Sequence, residues 1–208
     1  MLVGVISDIH GHLSEEACKA LEPCDMILCA GDVERPSILM ELDAIAPTVA
    51  VLGNCDSSLR GMNIPFVASP RIGGVRFFMT HRPEDIGTVA EDVRVVVHGH
   101  THIPREELID GVLYLNPGSA SKPRGGSRRG IARLAIDAGK VANVEFVTWG
   151  IGGAALSPAR LGEVDELARV AGIHTTPACA VGEAAKIGEI AKRATLEKWQ
   201  VDPKGLAR

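Results

Sequence analysis

Aromatic residues are nearly missing from this chain: two Trp, one Tyr and four Phe make 3% of 208 residues. Nucleic-acid binding by base stacking needs a platform of exposed rings, so such a surface is disfavoured. An excess of one charge sign is missing too. The 22 basic and 26 acidic side chains leave a net charge of -4, which supplies no general attraction to nucleic acid or to an anionic membrane. No apolar run approaches the ~18 residues that a membrane span needs, and Met1 leads straight into an apolar stretch with no basic leader. A disulfide framework is also lacking. Five cysteines, Cys18, Cys24, Cys29, Cys55 and Cys179, are odd in number and include no Cys-x-x-Cys pair, which suits free thiols in a reducing compartment. These absences predict a cytoplasmic protein without membrane contact, for which nucleic acid is not an expected partner.

What is present is a 46% hydrophobic composition, enough to bury one good core at this length. Short apolar runs end repeatedly in polar clusters. Residues 2–6 break at Ser7-Asp8-Ile9-His10-Gly11-His12, residues 26–30 at Gly31-Asp32, and residues 48–52 at Gly53-Asn54-Cys55-Asp56. Between them, Ser14 can cap a short helix that ends near Pro23, and a second helix fits residues 37–45. This alternation of strand, polar loop and helix predicts right-handed crossovers and a largely parallel sheet, which binds ligands at the carboxyl ends of its strands.

Further on, residues 64–68 and 75–80 flank Pro70-Arg71-Ile72-Gly73-Gly74 as a hairpin, and the second strand ends at His81. Pro83 with Glu84 and Asp85 predicts a helix to about residue 92. Residues 93–97 form a buried strand that runs into His98-Gly99-His100-Thr101-His102. Hairpins follow around Asp110-Gly111 and around residues 137–140, so the second half is expected to be antiparallel. Together the halves predict an α/β fold of two packed sheets with helices outside, occupying residues 1–149. From Gly150 a linker-like composition leads to helical patterns at 163–171 and 182–198, read as an extension of unknown role spanning 150–208. Ile187, Ile190, Ala191, Ala194 and Trp199 would share one face there, suited to packing on the host domain or on another subunit of a homo-oligomer. His174 stands without a partner and is read as a loop residue.

The polar residues at the strand ends are Asp8, His10, Asp32, Asn54, His81, His100 and His102. Their O and N donors suit borderline divalent ions, with Mn, Fe, Zn, Co and Ni all feasible. Seven exceed one site. If Asp32 bridges, two metals about 3.5 to 4 Å apart could share a water whose pKa falls toward roughly 7, giving a hydroxide nucleophile and stabilising charge on phosphoryl oxygens.

Asp8-x-His10, Gly31-Asp32, Gly53-Asn54, His81 and Gly99-His100-x-His102 resemble, in order, the motifs of the calcineurin-like metallophosphoesterases. Gly-Asn-Cys-Asp and Asn-Pro-Gly-Ser at residues 53–56 and 116–119 look like the small bacterial and archaeal phosphodiesterase branch. The resemblance implies a four-layer αββα sandwich of two mixed sheets flanked by helices. It further implies that Asp8, His10, Asp32 and His102 hold one metal and that Asp32, Asn54, His81 and His100 hold the other, with Asp32, Asn54 and His100 as catalytic residues and Mn favoured over Ni, Co, Fe or Zn. The expected activity is hydrolysis of small phosphate diesters through a metal-bridging hydroxide. A non-catalytic metal-binding scaffold resembling the retromer subunit, and a nuclease or nucleotide phosphatase, are the alternatives; the intact ligand set argues against the scaffold.

Two positions depart from the family pattern. Cys55 stands where larger members carry a histidine that helps protonate the leaving group, and a thiol is the poorer acid at neutral pH. A small buried residue without a role is the plainer reading of Cys55. Arg82 stands where a glycine is common. It could clamp a second phosphate or a carboxylate, although surface pairing with Glu84 or Asp85 is the simpler expectation. Asp56 and His98 are candidates for orienting a ligand by hydrogen bonding. Lys122, Arg124, Arg128 and Arg129 form a basic loop that could draw in a polyphosphate or nucleotide, with a solvated loop as the commoner explanation.

Overall fold

The structure, a computed structural model, describes residues 1–150. Two mixed sheets are stacked. The first joins β1 (Leu2–Ile6), β2 (Met26–Cys29), β3 (Thr48–Ala50), β10 (Arg129–Asp137) and β11 (Lys140–Trp149) in the order β11-β10-β1-β2-β3. The second joins β4 (Val67–Ala68), β6 (Val75–Thr80), β7 (Val93–Val97), β8 (Arg105–Ile109) and β9 (Val112–Asn116) in the order β4-β6-β7-β9-β8, with the short β5 (Arg71–Ile72) paired to β6. Alternating strand residues divide the apolar core in two. Val3, Val5, Leu28, Phe77, Met79, Val95, Val97, Leu115 and Leu134 fill the space between the sheets. On the opposite face of the first sheet, Ile6, Ile27 and Ile131 meet Ala17 and Leu21 of α1 (Glu15–Leu21) and Leu39 and Leu42 of α2 (Pro36–Ile45). Both α-helices among the described residues therefore lie on the first sheet.

Local chemistry sets the element ends. Ser14 Oγ accepts the Ala17 N–H at 3.3 Å, and Glu15 and Glu16 occupy the first turn of α1. Pro36 opens α2 with its fixed φ. The Asp110-Gly111 turn has φ of 49° and 77°, and Ala138-Gly139 has 46° and 75°, positive values suited to tight hairpins.

Three expectations change. The helix after Pro83 stops as a single 3-10 turn, Pro83–Asp85, because none of residues 83–92 is buried, and Gly87, Thr88 and Val89 follow at once. Arg71 and Ile72 are strand rather than turn, and the reversal contracts to Gly73-Gly74. The second half is not wholly antiparallel: β9 lies parallel to β7, with Val95 opposite Leu113 and Val97 opposite Leu115. The β8–β9 hairpin causes this, since β8 turns back along the sheet edge and β9 re-enters in the direction of β7. The extension, with its two expected helices and His174, lies outside the described residues save for Gly150.

In each sheet three strands run parallel, β1, β2 and β3 in the first and β6, β7 and β9 in the second. Their carboxyl ends come together at one edge of the sandwich. There Gly99 N donates to His81 O at 2.9 Å within the second sheet, and His100 N donates across to Asp8 Oδ2 at 3.1 Å.

Candidate metal centre

Five strand ends deliver the polar residues, and their loops adopt an uncommon backbone. Asp8, His10, Asp32, Glu34, His100 and His102 have φ between 48° and 70°. Among the described residues the only other non-glycine positive φ values are those of Asp110 and Ala138 in the hairpin turns. Each such residue costs roughly 1–2 kcal/mol, a cost typical of functional loops held by their surroundings. Here the surroundings are explicit. Asp8 N donates to Gly31 O at 3.0 Å and His10 N to Asp32 O at 2.9 Å, so the first two loops are laced together. Ser119 Oγ and Ser121 Oγ both donate to Asp8 O, at 2.7 and 3.0 Å.

Two groups of donors face each other across Asp32. In the first, His10 Nε2 lies 3.2 Å from His102 Nε2, and Asp8 Oδ1 lies 3.1 Å from His102 Nε2 and 3.9 Å from His10 Nε2. In the second, Asn54 Oδ1 lies 3.1 Å from His81 Nε2 and 2.9 Å from His100 Nδ1. Asp32 Oδ2 stands between them, 3.9 Å from His10 Nε2 and 3.4 Å from His81 Nε2. Its other oxygen, Oδ1, is engaged by the Cys55 N–H at 2.8 Å.

The far nitrogens determine what these near atoms can do. His81 Nδ1 meets Ala30 O at 2.7 Å and His102 Nδ1 meets Lys122 O; a carbonyl only accepts, so each Nδ1 must carry its hydrogen. His10 Nδ1 likewise donates to Glu34 Oε1 at 2.8 Å. In the neutral rings, therefore, Nε2 of all three presents a lone pair inward. Asp8 Oδ1 is buried there with no hydrogen bond. Lone pairs this close repel unless positive charge sits among them, and a divalent cation supplies it. Asn54 adds to the pattern: its Nδ2 turns to Cys55 Sγ at 3.2 Å, leaving Oδ1 for the site. The residues fit a divalent metal ion.

Electrostatics agree. Burial pulls His81 down, but the Asp32 carboxylate, aided by Asp8 and the Ala30 carbonyl, outweighs it and leaves the imidazole above its ordinary pKa. Asp8 raises His102 against burial in the same way. Burial pushes Asp32 up, yet His81 and the Cys55 N–H bring it well below the usual carboxylate range. The site is a place where positive charge is favoured and Asp32 remains anionic.

Asp56 is the main support, buried and bonded to backbone N–H groups rather than to the ligand atoms. Its Oδ1 accepts the N–H groups of Val33 and Glu34, both at 2.7 Å, and its Oδ2 those of Asp32 and Gly53 at 2.9 and 2.7 Å. One carboxylate thus fixes the loops that carry Asp32 and Asn54. His98 is not brought to the ligands. Its ring contacts Gly99 O, Asn116 Nδ2 and Arg105 Nη1, and burial lowers its pKa. Asn116 in turn donates to Gly99 O at 2.9 Å, so this network braces the loop before His100.

Cys55 is exposed rather than buried, and desolvation of the thiol with the Asp32 carboxylate beside it pushes its pKa up to about 11. Arg82 Nε lies 3.6 Å from Glu84 Oε2, both half-exposed, so the expected surface contact is present. The basic loop does more than face solvent: Lys122 O holds His102, and Arg124 N donates to His102 O at 3.3 Å. Sequence reasoning missed Ser7, Glu34, Ser121 and the Lys122 carbonyl. Only Glu34, alternating with Asp32 as His10 alternates with Asp8, left a readable signal.

These features belong to a metal-assisted phosphoesterase. The chain is a member of the calcineurin-like phosphoesterase superfamily, whose domain matches residues 1–139. Among its relatives is the "Probable metallophosphoesterase" of Methanothermobacter thermautotrophicus, 33% identical over 138 residues that cover 60% of this chain and 80% of that protein. Phosphodiesterase YfcE of Escherichia coli K12 is 36% identical over 88 residues, 38% of this chain and 47% of YfcE. The solved structure of E. coli YfcE, a phosphoesterase, matches with a TM-score of 0.56 and 26% identity over 70% of this chain and 98% of its own. Vps29 of Entamoeba histolytica, solved with Zn2+, shares the fold at a TM-score of 0.55 and 24% identity, over 71% of this chain and 99% of its own. Membership and the relatives named metallophosphoesterase or phosphodiesterase support hydrolysis of phosphate esters with divalent metal. No helix among the described residues is long and apolar enough to cross a membrane.

Proposed function

We propose that this chain is a dinuclear metal-dependent phosphodiesterase that hydrolyses small phosphate diesters. The observation that carries the reading is Asp32 Oδ2, placed between two donor groups with His10 Nε2 at 3.9 Å on one side and His81 Nε2 at 3.4 Å on the other. Asp8, His10, Asp32 and His102 would hold one ion, and Asp32, Asn54, His81 and His100 the other. Two divalent ions, Mn favoured and Ni, Co, Fe or Zn compatible with the same donors, would supply a nucleophile at neutral pH and positive charge against phosphoryl oxygens.

The chain's own residues do the rest. Asp8, Asp32, His81 and His102 are buried, whereas Asn54 is exposed and His100 half-buried, so the phosphate enters on the Asn54 and His100 side. There the two residues orient it while the buried groups keep the charged floor in place. Departure of an alkoxide needs a proton, and the Cys55 thiol is a poorer acid for that task than an imidazolium. The preferred substrates therefore carry good leaving groups.

The test is hydrolysis of an aryl phosphodiester and the matching monoester by metal-stripped protein, with Mn, Ni, Co, Zn and Mg restored one at a time. Metal-dependent turnover favouring the diester is expected, and Asp32→Asn should lower it at least about 100-fold together with bound metal. No turnover with any ion, despite two bound ions per chain, would overturn the enzyme reading in favour of a scaffold. Cys55→His should help alkyl esters more than aryl ones.

A further inference from the structure

Beside the donor groups lies a cavity of about 310 Å³, near the lower end of the range for small-molecule sites. Asn54 and His81 form the wall it shares with the candidate metal centre; Arg60, Phe66, Val67 and Arg82 form the rest of its working surface, with Asp85 also in the lining. Two features of that surface are unexplained by packing. Phe66 is 58% exposed and Val67 44%, in a chain with only four Phe. Among the described residues the Arg60 side chain makes no hydrogen bond or ion pair, and the Arg82 side chain has only its 3.6 Å contact with Glu84. An exposed ring and two arginines thus line one cavity; with Glu84 beside Arg82 and Asp85 in the lining, the Arg60 guanidinium is the positive charge left without a contacting carboxylate.

We propose that this cavity is a substrate-binding site for one organic arm of the ester, and that the arm is a flat ring bearing an anionic group. The inference rests on the phosphodiesterase reading and names the substrate class for that same centre. With the phosphate on the Asn54 and His100 side, the ring packs against Phe66 and Val67. Its carboxylate or second phosphate meets Arg60 and Arg82, where the planar fork of a guanidinium matches two oxygens at once. Esters with small alkyl arms leave the cavity filled with water and gain nothing from it.

Binding of three phosphonates, whose P–C bond is not hydrolysed, separates the contributions without relying on turnover. Methylphosphonate, phenylphosphonate and 4-carboxyphenylphosphonate would be titrated calorimetrically into the full-length Mn-loaded protein. Phenylphosphonate is expected to bind about tenfold tighter than methylphosphonate, and the carboxylate to add about three- to fivefold. Phe66→Ala should bring the phenyl-to-methyl ratio toward one. The double variant Arg60→Gln and Arg82→Gln should erase the carboxylate gain and keep the phenyl gain. Equal affinities for all three would overturn the cavity's role and leave the phosphodiesterase reading standing. Absence of binding by any phosphonate to protein that retains its metal would overturn both.

Discussion

Asp56 concentrates, in one side chain, the cost and the use of burying a charge. Taken alone, a carboxylate with almost no solvent contact is unfavourable by several kcal/mol. Four backbone N–H groups at 2.7 to 2.9 Å offset that, and each is itself a donor that folding has removed from water. The arrangement also explains why the Asp32 and Glu34 backbone can remain left-handed: the N–H groups of residues 32, 33 and 34 all point to one acceptor. Asp56→Asn keeps the size but exchanges one oxygen for an NH2 group that faces N–H donors. Stability should fall by about 3 kcal/mol, read from urea unfolding. Metal content should fall with it, although residue 56 reaches the ligands only through the Asp32 backbone N–H. A variant as stable as the parent would show that the loop is held by other means.

At the scale of elements, the working unit is a strand that ends in a loop of fixed shape. Those strands were legible: residues 2–6, 26–30, 48–52, 75–80 and 93–97 announce themselves by apolar runs broken by Gly, Asp, Asn and His, although β2 stops at Cys29 and β3 at Ala50. The seven donors were legible for the same reason, since they stand where the apolar runs stop. Less legible was how the loops hold them. Left-handed φ at His10 or His102 is imposed by contacts from residues 31–34 and 119–124, far along the chain, and no local pattern encodes it. The parallel entry of β9 was hidden because a hairpin signal at Asp110-Gly111 fixes β8 against β9 but says nothing of which strand β9 joins next. Pro83-Glu84-Asp85 reads as a helix start, yet a start without an apolar face to bury does not propagate. Gly99 shows the tightest of these fits. A Cβ there would overlap Ser7 Oγ and lie 2.7 Å from Asp8 Oδ2, so the loop carrying His100 and His102 passes over Asp8 only as glycine. Gly99→Ala should displace Asp8 and reduce bound metal from two ions per chain toward one, with the Asp8, His10 and His102 group losing its ion first. Elemental analysis of the purified variant checks this, and two retained ions would contradict it.

For the whole molecule, the candidate centre is also the seam between its two sheets. Asp8, Asp32 and Asn54 come from the first sheet's strand ends, His81, His100 and His102 from the second's, so ions held between them would tie the sheets at one edge. No disulfide joins them there, since the described cysteines are free. Unfolding must then separate every ligand from its ion, and metal binding becomes a term in global stability. At a free metal concentration of 100 times Kd, one site contributes about 2.7 kcal/mol, which for a chain of this size raises Tm by about 5 to 11 °C. Differential scanning calorimetry of metal-stripped protein with Mn titrated back should show that rise. Asp32→Asn, which weakens both donor groups, should lose most of it, whereas loss of a ligand confined to one group, His102→Ala, should keep the share due to the other. A Tm that does not move while two ions bind would mean that the ions sit on a surface that stays intact after the sheets part, and the bridging position of Asp32 would have to be abandoned.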